Sequence, residues 1–150
     1  MHEISYGVKQ LDEFEILKFM KNVNNDFSPS LDQRCNIKEY SKKLANNAII
    51  IVASTKKDVI GISAFYANDI EKKIAYISFI ATLSNYRHLG IASNILKVII
   101  SFLQKKGFKS LELEVYKDNI VAVKFYLSKG FKTKLQNETS YFLYYDLQSY

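Results

Sequence analysis

The sequence predicts a mixed α+β fold, and three observations carry that prediction. Short β-branched and aromatic runs alternate with helical stripes, hairpin turn signals fall early, and a strand–helix–strand order falls late. Antiparallel hairpins followed by a crossover describe a mixed sheet with helices packed on it. At 150 residues the chain reads as one domain, residues 1–150, with room for a real core.

Each element has a local reason. Residues 1–8 alternate weakly and read as a first strand. Leu11, Phe14, Leu17 and Met20 recur at helical spacing, so a helix is expected over 11–23. Pro29 with its Ser, Asn and Asp neighbours marks 24–36 as a loop. Ile37, Tyr40 and Leu44 share one face of a second helix over 37–46. The apolar run 48–54 is a buried strand, Lys56-Lys57-Asp58 a hairpin turn and 59–67 its partner. Asn68-Asp69 opens another turn before a long strand over 74–83.

The third helix, 91–106, has a wide apolar arc: Ala92, Leu96, Ile99 and Leu103 beside Ile91, Ile95, Val98 and Phe102. Such an arc packs deeply on a sheet. Gly107 stands at its C-terminal glycine position. A strand over 111–116, a helix over 119–129 ending at Gly130, and strands over 131–135 and 140–147 complete the order.

Composition excludes several classes. Hydrophobic residues make up 48% and charged residues 24%, ordinary for a globular chain. No apolar run is long enough to span a bilayer, so no membrane partner is expected. The segment Met1-His2-Glu3-Ile4-Ser5 lacks a basic start and an apolar core, so no signal peptide is expected. One cysteine, Cys35, makes no intrachain disulfide, which fits a cytoplasmic setting, and reads as a buried small hydrophobe. The net charge of +6 is spread over dispersed lysine pairs, a solvated basic surface rather than a nucleic-acid stripe. Two histidines and one cysteine make no zinc site, and no phosphate-binding Gly-x-x-x-x-Gly-Lys or Gly-x-Gly-x-x-Gly string occurs.

The most informative stretch is Arg87-His88-Leu89-Gly90-Ile91-Ala92, with Ser93 after it, between the long strand and the third helix. A turn that opens a helix presents unpaired N–H groups and the positive end of the helix dipole. Gly90 lets a ligand approach the backbone, and Arg87 adds a permanent charge. Together they describe a pyrophosphate cradle. Downstream stands Asn119-Ile120-Val121-Ala122-Val123-Lys124-Phe125-Tyr126-Leu127-Ser128-Lys129-Gly130-Phe131.

The two segments resemble the GNAT superfamily of acetyl-CoA-dependent N-acetyltransferases. That family carries an Arg/Gln-x-x-Gly-x-Gly/Ala cradle and an Asn-x-x-Ala-x-x-Phe-Tyr-x-x-x-Gly-Phe segment. The resemblance covers residues 74–131 well and the flanks by element order; Ala92 stands where many members have Gly. It implies a splayed, mostly antiparallel sheet of about seven strands with four helices, and acetyl-CoA in the V between the fourth and fifth strands. It further implies that His88, Leu89, Gly90, Ile91, Ala92 and Ser93 hold the pyrophosphate with Arg87. The strand backbone at Ala81 and Leu83 then pairs with the pantetheine, and Asn119 and Ala122 reach the same arm. Tyr126 falls at the position of the family's frequent catalytic tyrosine.

N-acetyl transfer needs a neutral amine, although an alkyl ammonium has a pKa of roughly 10. It also needs N–H donors for the oxyanion and an acid for the leaving thiolate. Tyr126 is the expected acid. Phe125 beside it reads as core. The strand over 74–83 carries no carboxylate, so the base is Asp26 or a water held by Ser78 or Tyr76. The acceptor, a small-molecule amine with an amino sugar favoured, is expected against Asp26, Phe27, Tyr40, Ser78 and Tyr141, with Tyr145 adding to an aromatic wall. A homodimer is left open. The alternatives are a non-catalytic acyl-CoA-binding or nucleic-acid-binding module on the same fold, or transfer to a protein or peptide amine.

Overall fold

The computed structural model describes residues 3–148. The strand order is β1 (Ser5–Val8), β2 (Ile49–Ser54), β3 (Val59–Asp69), β4 (Ile74–Thr82), β5 (Ser110–Tyr116), β7 (Ser140–Asp146) and β6 (Lys132–Gln136). Every neighbouring pair is antiparallel except β4 and β5. Helices α1 (Glu13–Val23) and α3 (Ile37–Asn47) precede β2, α4 (Ile91–Lys105) makes the β4–β5 crossover, and α5 (Ile120–Ser128) joins β5 to β6. Met1 and His2, part of the expected first strand, lie outside the described residues.

The core has two parts, one on each face of the sheet. Ile95, Leu96, Ile99 and Leu103 of α4 and Tyr126 of α5 meet Ile51, Ile77, Leu111, Leu113 and Val115 on one face. Ile16, Phe19 and Met20 of α1 and Leu44 of α3 meet Ile50, Val52, Ile62 and Phe79 on the other.

Local chemistry places the helix ends. Asp12 caps α1 by accepting from Glu15 N–H at 2.8 Å, while Glu15 accepts from Asp12 N–H at 3.2 Å. This capping box starts α1 two residues later than the spacing of Leu11 suggests. It also rotates the buried stripe to Ile16, Phe19, Met20 and Val23, leaving Phe14 exposed. The expected loop over 24–36 contains a fifth, one-turn helix, α2 (Leu31–Arg34), whose Leu31 plugs the second core. Cys35, read as buried, is exposed, because the chain turns outward between α2 and α3. β3 runs past Asn68 to Asp69, and the turn follows it. Among the described residues no helix is long and apolar enough to cross a membrane.

Two features of β4 position the site. It pairs with β5 only through Ile74, Ala75 and Tyr76, after which the strands part. It also carries a bulge: Phe65 faces Ile77 and Ala64 faces Phe79, leaving Ser78 without a partner. The extra residue reverses the alternation, so Ile77 faces α4 whereas Phe79 faces α1.

Candidate active site

A cleft follows the free edge of β4. It begins at α4, whose N-cap, Gly90, is left-handed with φ +74°. His88 is left-handed too, with φ +67°. The first intrahelical bond runs from Asn94 N–H to Gly90 C=O at 3.0 Å, so the N–H groups of Ile91, Ala92 and Ser93 find no carbonyl within the helix. No side chain caps this end. Two left-handed residues and an uncapped first turn make a concave nest of donors. A Cβ built on Gly90 would meet nothing within 4 Å, so the approach is open. A hollow of about 290 Å³ lies here, against Arg87, His88, Gly90, Ile91, Ala92, Ser93 and Phe125.

The middle of the cleft is a cavity of about 420 Å³ between β4 and α5. Ile80, Ala81 and Thr82 wall one side, and Asn119, Ala122, Phe125 and Tyr126 the other. Leu83 gives its N–H to the Ile60 carbonyl at 2.8 Å, which turns that group away from the cleft. Alternation along the ladder then directs the main-chain groups of Thr82 and Ile80 toward the open side, rather than those of Leu83 and Ala81. Asn119 caps α5 by accepting from Ala122 N–H at 3.2 Å, which leaves its amide NH₂ on the cavity wall. Arg87 reaches across the mouth and donates to Asp26 at 2.6 Å.

Tyr126 stands where this cavity meets a smaller one. Its ring packs edge-on to Phe125 at 5.2 Å and Phe131 at 5.4 Å, and it is 6% exposed. Burial pushes its phenol well above the ordinary value, so it stays protonated at neutral pH. It lines both cavities, and its hydroxyl has no hydrogen-bond partner among the described residues.

The smaller cavity, about 110 Å³, opens where β4 and β5 have parted. Ser78 and Phe79 face Glu114 and Tyr116 across it, with Phe27 and Arg34 over the top. Phe27 stacks on Phe79 at 5.7 Å. Tyr40, from α3, lies behind: its hydroxyl donates to the Ser78 carbonyl at 3.0 Å and meets the Ser78 hydroxyl. Burial pushes its phenol up to about 12, partly offset by that hydrogen bond. Glu114 accepts from the buried Ser140 hydroxyl at 2.7 Å through one oxygen.

The cleft therefore gathers Asp26, Phe27, Ser78, Ala81, Arg87, His88, Gly90, Ile91, Ala92, Ser93, Asn119, Ala122 and Tyr126 along one wall-to-wall path. Leu89, in the same loop, is exposed. Tyr141 and Tyr145 do not join Phe27 and Tyr40. Tyr141 is paired with Val115 and so faces α5, and Tyr145 packs on Phe131 at 5.4 Å. The expected aromatic wall from these two tyrosines is on the other side of the sheet. The two charged residues of the small cavity are not among the site residues named from the sequence. Glu114 had one signal, alternation with Leu111, Leu113 and Val115 that sets it on the opposite face. Arg34 had another: only Arg34 and Arg87 are arginines among 21 Lys and Arg, and both line the cleft.

Comparison with known proteins agrees with this fold. The structure is similar to a GNAT-family acetyltransferase from Desulfovibrio desulfuricans, with TM-score 0.81, 12% identity, and 97% of this chain and 99% of that one covered. It is similar to PaiA N-acetyltransferase from Thermoplasma acidophilum in complex with coenzyme A, with TM-score 0.74, 17% identity, and 95% and 99% covered. A third similar structure is the ribosomal-protein-S18-alanine N-acetyltransferase of Escherichia coli, with TM-score 0.70, 16% identity, and 95% and 94% covered. No curated protein matches the sequence. The profile of the acetyltransferase (GNAT) family matches residues 16–131, more than half of the chain. The chain belongs to the acetyltransferase (GNAT) family.

Proposed function

We propose that this protein moves an acetyl group from acetyl-CoA to the primary amine of a small molecule, with both substrates in the cleft together. One observation carries the reading: an unbroken path from the uncapped α4 N-terminus, along the free edge of β4, past Tyr126, to a cavity holding a carboxylate. The open approach at Gly90 and the charge of Arg87 fit a pyrophosphate. The unpaired backbone of β4 suits the pantetheine amides, as an added strand would be suited.

Bound acetyl-CoA supplies the activated acetyl group. Arg87 and the N–H groups of Ile91, Ala92 and Ser93 orient the phosphates, and Asn119 steadies the arm through its NH₂. Thr82 and Ile80 offer N–H donors for the oxyanion. Tyr126 Oη holds a proton for the departing sulfur, and burial keeps it there. The free oxygen of Glu114 takes the proton of the incoming ammonium, a carboxylate that β4 lacks.

The volume of about 110 Å³, below the ~300 Å³ where drug-sized sites begin, supports a small acceptor over a protein chain. With Tyr141 and Tyr145 facing α5, the aromatic lining of this cavity includes Phe27 and Tyr116, which suits a sugar ring or another amphiphilic amine without choosing between them. A single cysteine supports a cytoplasmic setting. The test has two readouts. Acetyl-CoA should raise the melting temperature by mass action, and thiol release should require an amine. No melting shift at millimolar acetyl-CoA rejects the cofactor site. A shift with no amine-dependent thiol release across a broad panel leaves a binding module.

A further inference from the structure

We infer that the acceptor carries an oxyanion, a carboxylate or a phosphate, close to its amine, and that Arg34 grips it while Glu114 receives the amine. The inference deepens the acetyltransferase reading and rests on it.

Arg34 sits at the end of α2 and lines the small cavity with Glu114. Its guanidinium lies 4.3 Å from the centre of the Tyr116 ring and 5.1 Å from that of Phe27. Its Nε donates to the Pro29 carbonyl at 2.9 Å and its Nη2 to the Ser28 carbonyl at 3.3 Å. A guanidinium has five N–H donors in a planar fork. Two carbonyls and two rings fix the plane, and the remaining donors belong to the edge that is free to meet a ligand. Among the described residues no carboxylate comes within 4 Å of it. Its charge is nevertheless partly withdrawn from water, and that burial lowers its pKa from the ordinary value, with Tyr116, Cys35 and Glu114 opposing the shift. A partly buried cation with no carboxylate at ion-pair distance gains from a ligand anion that completes it.

Fastening the loop does not require this residue. The two carbonyls would accept from any donor, and the chain elsewhere uses lysine for its positive charges. Arginine stands only at the two places where the cleft meets an anion in this reading. A planar fork matches carboxylate and phosphate as an ammonium does not.

The pairing with Glu114 sets the acceptor's charge pattern. An amine reaching the cavity as a plain cation is drawn to Glu114 and repelled by Arg34. A molecule that carries both signs satisfies both groups at once, and the unfavourable term against simple alkylamines becomes a source of selectivity.

The test compares matched acceptors at saturating acetyl-CoA with thiol release as the readout. Glycine, β-alanine, γ-aminobutyrate and O-phosphoethanolamine form one arm. Glycinamide, n-propylamine, n-butylamine and ethanolamine form the other. The expected result is a kcat/KM about ten- to a hundredfold higher for the better anionic class, from the strength of charge-assisted hydrogen bonds. Within the first arm, the carboxylate and phosphate members distinguish the two anions. Arg34→Gln should bring the ratio of anionic to neutral acceptors toward one, mainly through KM, and Arg34→Lys should restore part of it. Because the ratio is read within each variant, partial loss of folded protein does not alter it. A wild-type ratio of one or less overturns the inference and leaves the acetyltransferase reading standing. A ratio unchanged in Arg34→Gln overturns the role of Arg34. A protein stabilised by acetyl-CoA that acetylates no amine in either arm overturns the acetyltransferase reading, and this inference with it.

Discussion

Arg87 and Asp26, 61 residues apart in sequence, are joined by a hydrogen bond of 2.6 Å across the mouth of the cleft. Both side chains are partly exposed, 43% and 31%, so the pair adds little to stability. Its consequence is positional: Asp26 fastens the guanidinium beside the cavity at the α4 N-terminus, where under the proposed function an arriving phosphate would compete for the same N–H groups. Arg87→Gln should therefore raise the dissociation constant of acetyl-CoA about tenfold or more. Asp26→Asn should leave it equal or lower it a few-fold, since a negative neighbour is removed. Calorimetric titration of both variants measures this, and equal weakening in the two would show that the pair acts as a unit.

Tyr126→Phe should reduce turnover on the order of 10²-fold while acetyl-CoA affinity holds, because a proton donor is lost with little volume. With the phenol held well above its ordinary value, the wild-type rate should show no alkaline fall from Tyr126 ionisation up to pH 10. Stopped-flow measurement of the chemical step decides it; an unchanged step removes Tyr126 from the mechanism.

Glu114 and Asp26 divide the question of the base. Glu114→Gln should lower kcat/KM more at pH 6.5 than at pH 9, roughly tenfold against little, because a high pH supplies neutral amine without help. Asp26→Asn should leave the profile's shape intact. If Asp26→Asn alone abolishes a plateau near pH 7, the proton goes to Asp26 and Glu114 is a binding group.

Gly90→Ala isolates backbone from bulk. Nothing crowds the added methyl, but φ +74° strains any side chain by about 1–2 kcal/mol. The variant should melt lower and lose part of its stabilisation by acetyl-CoA, and Gly90→Val more of both. A Gly90→Val protein with an undiminished acetyl-CoA shift would remove this loop from the cofactor site.

Tyr40 gives the fold an alkaline limit. Its phenol is pushed from 10.0 up to about 12, mainly by burial, so the folded state holds the proton more tightly than the unfolded chain. The stability this contributes is complete below pH 10 and is lost as pH rises through about 12. Wild type should lose denaturation midpoint over that interval more steeply than Tyr40→Phe, and parallel curves would refute the assignment.

What the sequence determined by itself is what depends on near neighbours. The identity of the long helices and strands, the glycine that opens α4, and the order of elements all follow from residues within a turn or a hairpin of one another. Those signals located Arg87, Asn119 and Tyr126 on the elements where they stand. Tertiary structure decided which faces meet. One unpaired residue, Ser78, reverses the alternation of β4, and the β5–β7 register turns Tyr141 toward α5 and away from the smaller cavity. A one-residue slip exchanges the two faces of a strand, and nothing local in the chain marks it. The placing of Arg34 and Glu114 on one cavity, and of Asp26 beside Arg87, likewise joins residues far apart in the chain.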